Sequence, residues 1–216
     1  METIEKRLRI YYSKFGFIRF TSNLDVQRIW ERTLRRAGIK IAYSHGFHPQ
    51  AKIQQASPLP LGFESSAEIV DIWISADSDT KITEEDLNHY LPEGLSISYL
   101  EFIDPGNSSL QPLLFSSDYE IHFFDKKSLE ELECIRQQVI NSSTIIFTKH
   151  NGKQYDLKPL ILNMEIHSHP QNGDYLSMKL SSQINSTGRP DHVLMYFQID
   201  PAQTRIIRTQ IDFIKQ

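Results

Sequence analysis

Ser22-Asn23-Leu24-Asp25-Val26-Gln27-Arg28-Ile29-Trp30-Glu31-Arg32-Thr33-Leu34-Arg35-Arg36-Ala37-Gly38 decides the reading of this chain. Ser22 supplies a capping hydroxyl, and Asp25 places an acid in the first turn, where free N–H groups need acceptors. Val26, Ile29, Trp30, Thr33, Leu34 and Ala37 fall on one helical face. Arg28, Arg32, Arg35 and Arg36 fall off it. Gly38 suits the stop, because glycine reaches the left-handed backbone that closes a helix.

Strands flank this helix. Leu8-Arg9-Ile10-Tyr11-Tyr12 alternates and is aromatic, so it reads as a strand, with Phe15 to Phe20 extending it past Gly16. Ile39 to Tyr43 reads as a short strand, Ser44 to Gln50 as a loop, and Lys52 to Ala56 as more strand. Pro58 and Pro60 rule out regular helix there. Ala67 to Ser75 is a strand. Thr83 with Asp86 opens a second helix, and Leu95 to Phe102 is a strand. The order is β-α-β-β-α-β, the ferredoxin-like motif.

Asp104 to Pro112 is rich in Pro, Gly, Asn and Ser and reads as a linker. The order then recurs. Tyr119 to Phe124 is a strand, and Ser128 with Glu131 caps a helix through Val139. Thr144 to Thr148 and Gln154 to Ile161 flank Asn151-Gly152, a hairpin turn signal. Leu162 to His167 and Tyr175 to Ser181 are strands. Pro190 starts a short helix, and Arg205 to Ile214 is the last strand. The expectation is an α+β fold of two tandem ferredoxin-like (βαββαβ) halves with antiparallel sheets, the second with an extra hairpin. The expected domains are 1–104 and 118–216, joined by a linker over 105–117. Trp30 and Trp73 are expected as core anchors.

Hydrophobic residues make up 39% of the 216 residues, enough to build a core. No run approaches the roughly 20 apolar residues of a membrane span. Met1 to Arg9 is charged, with no apolar stretch behind it, unlike a secretory signal. Cys134 is the one cysteine, so no internal disulfide forms, which fits a reducing, cytoplasmic setting. The net charge of −4 conceals a split. Residues 1–56 hold eleven Lys/Arg against four Asp/Glu, a net of +7; residues 57–141 come to −13 and residues 142–216 to +2. Such asymmetry suggests an anionic partner at the N-terminal part, or two charged regions that face water or each other.

The densest candidate site is Tyr43-Ser44-His45-Gly46-Phe47-His48-Pro49-Gln50-Ala51-Lys52, a loop next in sequence to the arginine helix. Arginine forks suit phosphate oxygens, and Tyr43 or Phe47 offers a stacking surface. The candidate nucleic-acid contacts are Arg28, Arg32, Arg35, Arg36, Tyr43, His45, Phe47 and Lys52, with Lys158 and Arg189 from the second half. The bland alternative is a structural loop beside a solvated helix face. His45 or His48 with Lys52 offers the groups that RNA cleavage needs, an imidazole base and a cation for the phosphorane. No carboxylate or thiol completes a metal set around them. His167 and His169 alternate on a strand as a second histidine pair, more consistent with surface residues than with ligands. Asp156 and Lys158 read as opposite charges on one strand face. Arg189 reads as an anion receiver or as a cap paired with Asp191. Cys134 reads as a partly buried thiol. No cofactor motif is present.

Phe20-Thr21-Ser22-Asn23-Leu24-Asp25, Leu34-Arg35-Arg36-Ala37-Gly38, Tyr43 to Pro49, Lys52, Pro58-Leu59-Pro60-Leu61-Gly62, Asp156-Leu157-Lys158-Pro159 and Gly188-Arg189-Pro190-Asp191 resemble the bacterial radical-SAM-linked protein family of unknown function. The resemblance covers nearly the whole chain. It implies a radical SAM enzyme as partner. One cysteine cannot hold the iron–sulfur cluster of such an enzyme, so the chain would be the linked protein. The leading expectation is an RNA-binding accessory protein that acts with an RNA-modification or radical SAM enzyme. The alternatives are a metal-independent endoribonuclease and a non-catalytic adaptor.

Overall fold

Leu8, Ile10 and Tyr12 alternate with Arg7, Arg9 and Tyr11 along β1 (Glu5–Lys14), and that alternation organises the first half of the chain. The structure, a computed structural model, describes residues 5–76, 82–104, 106–169 and 173–214. It is a mixed α+β fold with mostly antiparallel sheet and few helices, dividing into two compact units, Met1–Gln111 and Pro112–Gln216.

In the first unit β1 is followed by a 3-10 turn at Gly16–Phe20 and by α1 (Asn23–Arg36). Then come β2 (Ile53–Gln55), β3 (Glu64–Ser75), α2 (Glu84–Asn88) and β4 (Leu95–Ile103). The strands lie in the order β2-β3-β1-β4, every pair antiparallel. Leu8, Ile10, Tyr12, Val70, Ile72 and Ile74 point to one side of this sheet, where Val26, Trp30, Leu34 and Leu87 of the helices meet them. Tyr12 packs edge-on against Trp30, with ring centroids 4.9 Å apart.

The opposite side is polar and buried in part. Arg7 and Asp71 are each 1% exposed, and Arg7 donates to Asp71 Oδ2 at 3.1 and 2.5 Å. Arg9 grips the same carboxylate at 2.8 and 3.0 Å. Arg7 also donates to the carbonyls of Asn107 (2.7 Å) and Ser108 (3.2 Å), so the segment after β4 is tied to the sheet. A bulge shapes β4: Tyr11 faces Tyr99, Tyr12 faces Ile97, and Ser98 is the extra residue. It leaves Ile97 in the core and Tyr99 half exposed beside Tyr11.

The second unit runs β5 (Leu114–Phe123), α3 (Leu129–Asn141), β6 (Ile146–Thr148), β7 (Gln154–Asp156), β8 (Ile161–His169), β9 (Gly173–Gln183), β10 (Ser186–Thr187), α4 (Pro190–Tyr196) and β11 (Thr204–Phe213). β9 pairs β8 and β5, and β5 pairs β11, all antiparallel. The short β10 also pairs β9. β6 and β7 form a separate hairpin whose turn closes at Gly152, φ +80°, as the Asn-Gly signal predicts.

Several expectations need correction. Phe15 to Phe20 does not extend β1, because Gly16 at φ +71° turns the chain into the 3-10 segment. Ile39 to Tyr43 is not a full strand; it makes only isolated bridges, Ile41 to Ile74 and Tyr43 to Ala51. β5 begins at Leu114, inside the expected linker. Trp73 is half-buried on the polar side of the sheet, opposite Ile72 and Ile74 of the core. Cys134 is exposed, about 200° around α3 from the buried Leu132. No helix among the described residues is long and apolar enough to cross a membrane.

Asp71→Ala strands the Arg7 guanidinium at 1% exposure without a counter-charge. The expected loss is about 3–5 kcal/mol in unfolding free energy, read from the denaturant midpoint. Arg9→Ala, at a more exposed position, costs less.

Candidate nucleic-acid interface

The site is built on α1. Ser22 Oγ accepts from the Asp25 backbone N–H at 3.2 Å, which sets the helix start and therefore its phase. With Val26, Trp30, Thr33 and Leu34 buried, Arg28, Arg32 and Arg35 share one exposed stripe at spacings of four and three. Arg28 pairs with Asp25 at 2.9 Å and Arg35 with Glu31 at 2.7 Å. Exposed pairs of this kind contribute little to stability, so a phosphate can displace them at little cost. Arg36 differs. It donates to the carbonyl of Tyr90 at 2.5 Å and belongs to the packing beyond α2.

Gly38 takes φ +75° and turns the chain back. The following loop closes at a neck. Ser44 N–H donates to the Gln50 carbonyl at 2.8 Å, and Gln50 N–H donates to Ser44 Oγ at 2.9 Å. Tyr43 Oη donates to Glu31 at 2.7 Å and accepts from Arg35 at 3.3 Å, so the neck is fastened to the arginine stripe. Tyr43 and then Glu31 push the Arg35 guanidinium pKa further up. Between helix and neck lies a groove of about 440 Å³ lined by Leu24, Gln27, Arg28, Glu31, Tyr43 and Pro49.

The tip of the loop carries His45, Phe47 and His48, all exposed, with Phe47 fully in solvent at 102%. Neither imidazole has a hydrogen bond or ion pair among the described residues. Lys52 donates to both Glu5 oxygens, at 2.7 and 2.9 Å. Among the described residues no group of three or more His, Cys, Asp or Glu is placed to hold a metal.

Two exposed aromatics lie outside the contact residues expected from the sequence. Phe17 is 93% exposed and Phe20 57%, with the Arg19 guanidinium 4.8 Å from the Phe20 ring centre. The signal was present: apolar residues at 15, 17, 18 and 20 fit no single strand face, and Gly16 interrupts them.

The second-unit candidates are committed to structure. Lys158 Nζ donates to the carbonyls of Val139 and Ile140, the last turn of α3. Asp156 is not its partner on a strand face; Asp156 Oδ1 accepts from the N–H groups of Ile145 (2.7 Å) and Lys158 (2.9 Å). Arg189 forms a two-pronged pair with Asp191, at 3.0 and 2.6 Å, which raises its pKa. His167 donates to or accepts from Ser177 Oγ at 2.9 Å and stacks on Tyr175; the His169 side chain lies outside the described residues.

A separate aromatic cluster joins the β6–β7 hairpin to α4. Phe147 stacks on His192 at 4.4 Å, and Tyr155 Oη meets His192 Nδ1 at 2.5 Å. Burial lowers the His192 pKa, opposed by Asp191 and assisted by Arg189, Lys149 and His150. Burial also raises that of Tyr155, with Asp191 adding to it.

Residues 7–190 match the family model described as an uncharacterised protein conserved in bacteria, DUF2344. The chain belongs to that family. No curated protein matches it. Among solved structures, an unknown protein from Galdieria sulphuraria is similar at 10% identity and a TM-score of 0.28, over 98% of this chain and 100% of that one. A putative glycine cleavage system transcriptional repressor is similar at 10% identity and a TM-score of 0.26, over 99% and 100%.

Two outcomes are expected in the second unit. Lys158→Met lowers stability by about 0.5–1.5 kcal/mol, measured by thermal melting, through loss of the bonds to the end of α3. His192 has a folded pKa below its ordinary 6.5, so the unfolded chain binds the proton more readily. Its contribution is therefore present above about pH 6.5 and is lost as pH falls below it. The melting temperature of wild type should approach that of His192→Phe between pH 7.5 and 5.

Proposed function

We propose that the protein is an RNA-binding accessory protein whose contact surface is the arginine stripe of α1 together with the 43–51 loop. One observation carries this reading. The Tyr43 hydroxyl, bonded to Glu31 and Arg35, holds an aromatic loop against a row of displaceable guanidinium groups. Phosphates meet Arg28, Arg32 and Arg35, while Phe47, Phe17 and Phe20 offer exposed rings to bases. Binding of single strands combines these two elements, backbone charge and stacking platforms. The net charge of +7 over residues 1–56 favours the encounter. Arg36 and Lys158 are bonded to backbone carbonyls and Arg189 to Asp191, and the proposed surface does not draw on them. On this reading the two units are tandem ferredoxin-like halves: the first has the element order β-α-β-β-α-β, the second has it with the β6–β7 hairpin and the short β10 added, and each has an antiparallel sheet in the corresponding strand order. The resemblance to radical-SAM-linked proteins supports an RNA-modifying or radical SAM enzyme as the companion, a pairing that co-purification tests.

The test is fluorescence anisotropy with a labelled, unstructured oligoribonucleotide at roughly 50 and 200 mM salt. Affinity should fall steeply with salt, and the Arg28→Ala/Arg32→Ala/Arg35→Ala triple variant should lose most of it. Unchanged affinity in that variant sinks the reading, whereas Lys158→Met should bind like wild type.

A further inference from the structure

The 43–51 loop borders a second recess, on the polar side of the sheet. It measures about 520 Å³ and is lined by Ser44, Gln50, Lys52, Gln54 and Trp73. That volume lies within the range of small-ligand sites, roughly 300–1,000 Å³. Gln50 lines both this recess and the groove beside α1, so the loop neck is common to the two.

Its chemistry differs from that of the arginine groove. Lys52, the one cation among its described lining residues, is neutralised by both oxygens of Glu5. An anion would therefore gain little here. Trp73 is half-buried, and the Arg7 guanidinium lies 5.1 Å from its ring centre. Arg7 is itself locked by Asp71, so the indole is held rigidly without being enclosed. Gln54 is half-buried, and its side-chain amide has no hydrogen-bond partner among the described residues. That amide presents two donors and one acceptor. Ser44 Oγ accepts from Gln50 N–H and retains its own proton to donate.

A rigid aromatic plane, an unpartnered amide, a free hydroxyl donor and little net charge suit a flat, uncharged ring with donors and acceptors on its edge. We propose that this recess takes one unpaired nucleobase of the strand whose phosphates lie on α1. The base stacks on Trp73 and Gln54 hydrogen-bonds its edge, as glutamine does with adenine. This inference rests on the RNA-binding reading above and adds that the site takes single-stranded rather than duplex RNA, because a paired base cannot enter.

The chain has two tryptophans, and Trp30 is wholly buried, so emission changes report on Trp73. The full-length protein is titrated with an unstructured oligoribonucleotide and, separately, with a duplex of the same composition. Tryptophan emission and anisotropy of the labelled strand are both followed. The single strand should quench emission at the concentrations where anisotropy rises, and the duplex should not. Trp73→Leu should weaken binding roughly tenfold, and Gln54→Ala, which leaves the sheet packing intact, several-fold. If the strand binds without quenching and both variants bind as tightly as wild type, the base lies elsewhere: the proposal falls and the RNA-binding reading stands. If no strand binds at low salt, both fall.

Discussion

The Asp71 carboxylate, gripped by Arg7 and Arg9, is the interaction on which the first unit depends. Isolated charges do not survive at 1% exposure, because the lost hydration outweighs any general gain from burial. Here four donor contacts saturate the carboxylate, and the remaining Arg7 donors find backbone carbonyls of Asn107 and Ser108. One side of the sheet thus becomes a polar lock between β1, β3 and the segment after β4. The other side carries the apolar cluster of Leu8, Ile10, Val70, Ile72 and Ile74. Trp73 follows Asp71 by two residues on the same face, so the lock also sets the floor of the nucleobase recess.

Against this rigid sheet, α1 contributes little charge-based stability and much surface chemistry. Its anchor is the buried stripe of Val26, Trp30 and Leu34. The ion pairs of Arg28 and Arg35 lie in solvent, where their energetic value is small and their availability is high. A guanidinium held loosely by a neighbouring carboxylate is poised for a phosphate that offers a better two-pronged partner. The Tyr43 hydroxyl converts this stripe into a walled groove.

Both units carry their added segment at the same point, between the first helix and the strand that follows it. In the first unit it is the exposed 43–51 loop, and in the second the β6–β7 hairpin. The hairpin is closed down on α4 by the Phe147–His192 stack and the Tyr155 bond. The loop keeps its aromatic tip in water. Equal position has therefore led to opposite uses: one insertion completes packing, the other presents side chains.

The family model shows an uncharacterised protein conserved in bacteria, the coarser part of the resemblance that the motifs between Phe20 and Asp191 carry. The sequence by itself determined what depends on neighbours a few residues away. Ser22 capping Asp25, the boxes Thr83 with Asp86 and Ser128 with Glu131, the turn at Gly152 and the outward arginines all follow from hydrogen bonds or periodicities spanning one helical turn. A period of two along β3 also places Trp73 opposite Ile72 and Ile74. Only the tertiary structure decided the rest. The Arg7–Asp71 lock spans 64 residues, the bond of Arg36 to Tyr90 spans 54, and that of Lys158 to Val139 spans 19. Which guanidinium or ammonium is consumed by the fold, and which remains for a ligand, depends on strand register and on where each helix ends. Those are properties of long-range packing, which no local pattern in the chain records.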